Sequence, residues 1–159
     1  MSFEVDTGAA LTSASIVGTT TNDDAAAGSI GEYKSTIVLV GAKIDLTTAT
    51  PVNIASVSLT AGDWDVDGQV WFIEAAGTVG TEQNAAISTT TGTLPTVPAN
   101  GTALARQSGS TPAADGSILP TGTARISVAA TTIVYLVAQA TFTVSTNAAY
   151  GIIRARRIR

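Results

Sequence analysis

The sequence predicts an all-β protein, a jelly-roll β-sandwich that follows an extended N-terminal arm. From residue 32 onward, short runs rich in β-branched residues alternate with Gly, Pro, Asn and Ser. No apolar pattern of helical period extends over ten residues or more. A length of 159 residues suits one domain with its own core. We therefore expect an arm at residues 1–31 and a β-sandwich at residues 32–159.

The first segment, residues 1–31, contains few large apolar side chains, which predicts an attachment arm rather than a separate core. After it, nine strands are predicted, and no internal repeat of 20 to 50 residues interrupts them. They cover residues 33–40, 42–46, 52–59, 64–74, 78–88, 102–107, 124–128, 132–144 and 150–158. This number of strands in about 125 residues is typical of a sandwich or jelly roll.

In two of the predicted strands, the pattern of apolar and polar residues indicates which faces are buried. In 64–74, one face is formed by Trp64 and every second residue after it, and the other begins with Asp65 and ends with Trp71 and Ile73. Another sheet or another subunit is expected to cover the apolar end of that second face. The strand at 132–144 begins apolar on both faces, which predicts a central strand or a position at an oligomer axis.

The composition excludes several classes of function. The chain has no Cys and no His, which excludes typical zinc sites and Cys or His nucleophile–base pairs. Acidic residues at the start predict no export signal, and the longest apolar run, 133–138, is too short for a membrane span. No phosphate-binding loop or nucleophile elbow is present. We expect no enzyme activity, no catalytic residue and no cofactor.

The residues 63–74 also match the calcium-loop template of an EF-hand. Asp63, Asp65, Asp67, Gly68 and Glu74 occupy the required places. An EF-hand needs a helix on each side, whereas the flanking residues are strand-like or rich in glycine. As a strand, the three aspartates would share one face about 6.6 Å apart, too far for easy chelation. We therefore predict a strand with no dedicated metal site, and leave incidental cation binding by the aspartates open.

Basic residues concentrate at the C-terminal end, where four arginines lie between residues 154 and 159. All twelve acidic residues lie at or before Asp115. The preferred interpretation is a terminal strand whose arginines pair with acids of the same fold. The alternatives are attraction to a neighbouring copy and a nucleic-acid patch, and the net charge of −4 argues against the second.

Three stretches resemble a known group of proteins. They are TTTNDDAAAGSIGEY at 19–33, LTAGDWDVDGQV at 59–70 and AYGIIRARR at 149–157. In this order they resemble small structural proteins of tailed bacteriophages. The Gly-Asp-Trp strand and the Tyr-Gly-Ile ending are also similar to tumour-necrosis-factor-like jelly rolls, which form trimers around an apolar axis.

The resemblance implies a non-enzymatic virion protein, assembled in the host cytoplasm as a fibre, knob or head-decoration module. It implies self-association, as a homotrimer, and attachment to other virion proteins through residues 1–31, with no nucleic-acid or membrane partner. The residues expected at the oligomer interface or in the core are Trp71, Tyr135, Leu136, Phe142 and Tyr150. The alternative function is a receptor-binding module, with loops 92–101 and 108–122 facing a host glycan or surface protein.

Overall fold

Two antiparallel sheets form the fold in a computed structural model that describes residues 24–96, 99, 101–111 and 116–159, with 110 and 111 described by backbone only. Ten strands lie in the described residues. They are β1 (Tyr33–Val38), β2 (Ile44–Asp45), β3 (Val52–Leu59), β4 (Gly62–Glu74), β5 (Val79–Ser88), β6 (Ala103–Thr111), β7 (Ser117–Pro120), β8 (Ala124–Val128), β9 (Thr132–Thr143) and β10 (Asn147–Arg157). A short 3-10 turn at Val40–Ala42 separates β1 from β2.

The strand order is that of a jelly roll. Sheet A runs β1-β10-β4-β7, with β2 also paired to β10 and β8 also paired to β4. Sheet B runs β3-β9-β5-β6. The chain crosses between the sheets several times, so that the first and last strands are neighbours in sheet A. The predicted fold class, an all-β jelly-roll sandwich, is confirmed.

The core lies between the sheets and is built by alternation along the strands. On β4 the side chains of Trp64, Val66, Val70 and Phe72 point inward and are fully buried. The strand β9 is central in sheet B, as its two apolar faces predict. These inward residues pack against apolar residues of β3, β5 and β10, so both sheets contribute to a single core.

Several predicted boundaries move. The predicted strand 33–40 ends at Val38 because the chain turns into the 3-10 segment, and the strand predicted at 150–158 begins earlier, at Asn147. The strand β7 was not predicted: Ser117–Pro120 lies in the segment interpreted as a loop. Four residues carry little local signal, and pairing with Gln69–Phe72 of β4 holds them in the sheet.

Most of the predicted arm at 1–31 lies outside the described residues, and its attachment role stays a prediction. Its last residues, 24–31, run beside the end of β10. The backbone amide of Gly31 donates a hydrogen bond to the carbonyl oxygen of Arg157 at 2.9 Å. The backbone amide of Arg157 donates one to the carbonyl oxygen of Glu32, also at 2.9 Å. The beginning of the sandwich is therefore hydrogen-bonded to its last strand.

Two glycines allow Leu136 of sheet B to pack closely on sheet A. A Cβ atom on Gly68 would lie 2.7 Å from Leu136 Cδ1, and one on Gly151 would overlap the carbonyl oxygen of Gln69. Leu136 is fully buried over this position. The space that the missing side chains leave is filled by Leu136, which brings the two sheets together.

The substitution Gly151→Ala should lower the free energy of unfolding by about 1–3 kcal/mol, because the added methyl group has no free volume. Urea denaturation measures the change. The matched control is Gly41→Ala, where a Cβ atom would meet nothing within 4 Å and should change stability little. Equal stability of Gly151→Ala and the wild type would contradict the close packing.

Candidate interaction surface

The outer face of sheet A, the side turned away from the core, divides into two halves along β4 and β10. Cross-strand register places Arg156 opposite Asp65, Arg154 opposite Asp67, and Tyr150 opposite Trp71. We call the first part the charged half. Its residues are Asp63, Asp65, Asp67, Arg125, Arg154, Arg156 and Arg159. We call the second part the apolar half. Its residues are Ile37, Trp71, Ile73, Ile118, Tyr150 and Ile152.

A stacked pair of aromatic rings lies in the middle of the apolar half. The ring centroids of Trp71 and Tyr150 are 5.6 Å apart and the ring planes differ by 13°. Both side chains are half-buried. On either side, Ile37 on β1 is 60% exposed and Ile118 on β7 is 56% exposed. Apart from Gln69, which lies opposite Ile152, the half presents apolar side chains on four neighbouring strands, with the aromatic stack at its centre.

Ion pairs within the chain compensate most of the charge on the charged half. Asp63 is buried and contacts Arg125 at 2.5 Å and Arg159 at 2.6 Å. Asp67 contacts Arg154 at 2.6 Å. The hydrogen bond from Arg125 is the main reason that the pKa of Asp63 lies below its usual range. The prediction that the terminal strand pairs with acids of the same fold is confirmed.

The four acidic residues of the calcium-loop template do not converge. Asp63, Asp65 and Asp67 are every second residue of β4 and lie in a row on its outer face, whereas Glu74 is buried on the inner face. The Glu74 carboxylate accepts hydrogen bonds from Gln83 at 3.1 Å and Asn147 at 3.2 Å. Nowhere in the described part of the chain do three or more acidic side chains form a group suited to a metal ion. The strand interpretation of 64–74 is confirmed.

A buried guanidinium closes the end of the sandwich next to the charged half. Arg157 is 5% exposed and donates to Glu32 at 2.9 Å, to the Ala61 carbonyl oxygen at 2.8 Å and to Thr60 Oγ1 at 2.6 Å. Its guanidinium lies 4.3 Å from the ring centroid of Trp64. A hydrogen bond from the Gly28 amide and one from Arg157 hold the pKa of Glu32 below its usual range, against the opposing effect of burial.

The five predicted interface or core residues do not form one cluster. Trp71 and Tyr150 meet on the outer face of sheet A. Leu136 is in the core, and Phe142 is half-buried against it. Tyr135 is half-buried on the outer face of sheet B, opposite Ser56 and Ser88. Which of them contact another subunit stays a prediction.

Ile37 and Ile118 were missed as members of the apolar half. Ile37 alternates with polar residues in β1 and is ordinary there, and Ile118 lies in the strand that was not predicted. The only sequence signal was the apolar end of the second face of β4.

One of the two loops predicted to face a receptor is partly strand, because β6 and β7 occupy much of 108–122. In the other, 92–101, the backbone amide of Gly92 donates a hydrogen bond to the side-chain oxygen of Asn53 at 2.7 Å.

Comparison with known proteins concerns the fold. No family model matches the sequence, and no curated protein is significantly similar to it. A chain in the structure of infectious bursal disease virus Gx strain superposes with a TM-score of 0.50 at 11% sequence identity. The match covers 90% of this chain and 37% of the viral chain, so this protein spans little more than a third of that chain's length.

The chain is a jelly-roll sandwich, and the outer face of its sheet A is divided into a charged half and an apolar half. At 11% identity, the similarity to the viral chain supports this architecture and nothing finer. In the described residues, no helix has the length and apolar character to cross a membrane.

Acid should destabilise the protein through Asp63 and Glu32. The pKa of each is lower in the folded chain than in the unfolded chain. The ionised carboxylates therefore stabilise the fold at pH values above their unfolded pKa values, and this stabilisation is lost as the pH falls through the lower pKa values of the folded chain. Thermal midpoints measured from pH 7 to pH 2 should show a smaller fall for Asp63→Asn than for the wild type. The control is Asp45→Asn, an exposed carboxylate on β2, and it should keep the wild-type profile.

Removing the buried guanidinium should be far more damaging than removing an exposed one. Arg157→Met leaves Glu32 buried without its main cation and should lower the free energy of unfolding by about 3 kcal/mol. Arg154→Met breaks a pair whose side chains are 37% and 39% exposed, and should lower it by about 0–1 kcal/mol. Urea denaturation compares the two. Similar losses in both variants would show that the burial of Arg157 does not matter.

Proposed function

We propose that this protein is a non-enzymatic structural component of a virion. It acts as a fibre, knob or head-decoration module of a tailed bacteriophage, assembled in the host cytoplasm. Copies associate as a homotrimer, and residues 1–31 attach each copy to other virion proteins. The observation that carries the proposal is the jelly-roll sandwich with an apolar half on its outer sheet face.

The surface chemistry supports a role in assembly. Charged residues make up only 13% of the chain, about half the usual share, so little charge must be dehydrated when copies pack together. The similarity to a chain in a virus structure is consistent with this role at the level of the fold. The resemblance of 19–33, 59–70 and 149–157 to phage structural proteins supplies the phage context.

Light scattering coupled to size exclusion tests the assembly. At micromolar concentration, the full chain should elute with a mass of about three times 16.0 kDa. Immunogold microscopy with antibodies against the chain should label purified phage particles from the same source. A monomeric mass together with unlabelled particles would refute the proposal.

A further inference from the structure

We infer that the apolar half of the sheet A outer face is the surface through which copies of this chain bind one another. This inference rests on the proposed function, because it names the interface of the proposed oligomer. The surface is left open in the single chain. Ile37 and Ile118 remain more than half exposed, and the half-buried Trp71–Tyr150 stack lies between them on the same face of the sheet.

Exposed apolar residues collect toward this part of the molecule. Of the nine exposed large apolar residues in the described part, Ile37 and Ile118 lie on the apolar half itself. Four more lie near the end of the sandwich where β1 and β4 end and β10 begins: Leu39, Val40, Val79 and Val144. An isolated exposed apolar residue is ordinary on a protein surface, whereas Ile37 and Ile118 share one sheet face with the Trp71–Tyr150 stack, and such a group is typical of a contact surface.

The area of the sheet A outer face is close to the area that each partner buries in a stable protein–protein interface. Neighbouring strands lie about 4.8 Å apart and each residue advances about 3.3 Å, so the strands of sheet A cover about 650 Å² and the apolar half about 300 Å². A stable interface buries about 800 Å² on each partner, with an apolar centre and a polar rim. The outer face supplies nearly this area, and the charged half supplies the rim.

The charges favour a second copy over a strongly charged partner. On the charged half, the aspartates of β4 lie between Arg125 of β8 and the arginines of β10. The acidic row of β4 therefore lies beside the basic row of β10, and a second copy can align each row with its opposite. A uniformly anionic partner, such as nucleic acid or an anionic membrane, would meet the aspartates as well as the arginines.

The test uses the full chain and the double substitution Ile37→Glu with Ile118→Glu. Both side chains are exposed in the single chain, so the fold should survive, as checked by circular dichroism and thermal midpoint. Carboxylates placed in an apolar interface should raise the dissociation constant about 100-fold or more. Light scattering over a dilution series should therefore show the monomer where the wild type is still assembled.

The matched control is Ile133→Glu, because Ile133 is 49% exposed on the outer face of sheet B. It should keep the wild-type mass. Tryptophan fluorescence gives a second reading: Trp64 is fully buried, so a shift to longer wavelength on dilution reports Trp71 alone. The shift should accompany dissociation of the wild type.

The outcomes separate the inference from the proposed function. Loss of assembly in the double variant, with Ile133→Glu unaffected, supports the inference. An assembled wild type whose mass is unchanged by the double substitution, or is lost with Ile133→Glu instead, overturns the inference and leaves the proposed function standing. A wild type that is monomeric throughout overturns self-association, and with it both the oligomeric part of the proposed function and the inference.

Discussion

Arg157 brings a positive charge into the end of the sandwich, where Glu32, the turn at residues 60–61 and the ring of Trp64 surround it. A buried cation is tolerated only while its counter-charge and acceptors stay in place. The start of β1, the turn between β3 and β4, and the end of β10 must therefore assemble together. The turn itself is adapted to the cation, because a Cβ atom on Gly62 would overlap the guanidinium.

This anchored end also sets the register that organises the outer face of sheet A. With Arg157 opposite Trp64, the alternation along both strands places Arg154 beside Asp67 and Tyr150 beside Trp71. A slip by one residue would turn every one of these side chains to the other face. The separation into a charged half and an apolar half is thus a consequence of one pairing, with Leu136 packed over Gly68 and Gly151 on the inner side.

The two halves suit an assembly role for different reasons. The charged half is largely satisfied within the chain, since Asp63 and Asp67 have arginine partners, and it can form a hydrated rim. In the apolar half Ile37 and Ile118 stay more than half exposed, and covering such apolar side chains is favourable. A surface with this division, on a domain with few charges, suits binding by shape and apolar contact, as the proposed assembly requires.

The sequence by itself determined the fold class, the strands β3 and β8 with their bounds and the two faces of β4, and it gave a central position as one of two alternatives for β9. These follow from the alternation of apolar and polar side chains, which is local. It also placed Trp71 and Tyr150 among the residues expected at an oligomer interface or in the core. Only the tertiary structure decided that they stack on one sheet while Tyr135 lies on the other, that Ile37 and Ile118 extend the apolar half, and that Ser117–Pro120 forms a strand. The physical reason is that alternation gives a side chain its face, whereas its neighbour across the sheet depends on pairing between segments far apart in the chain.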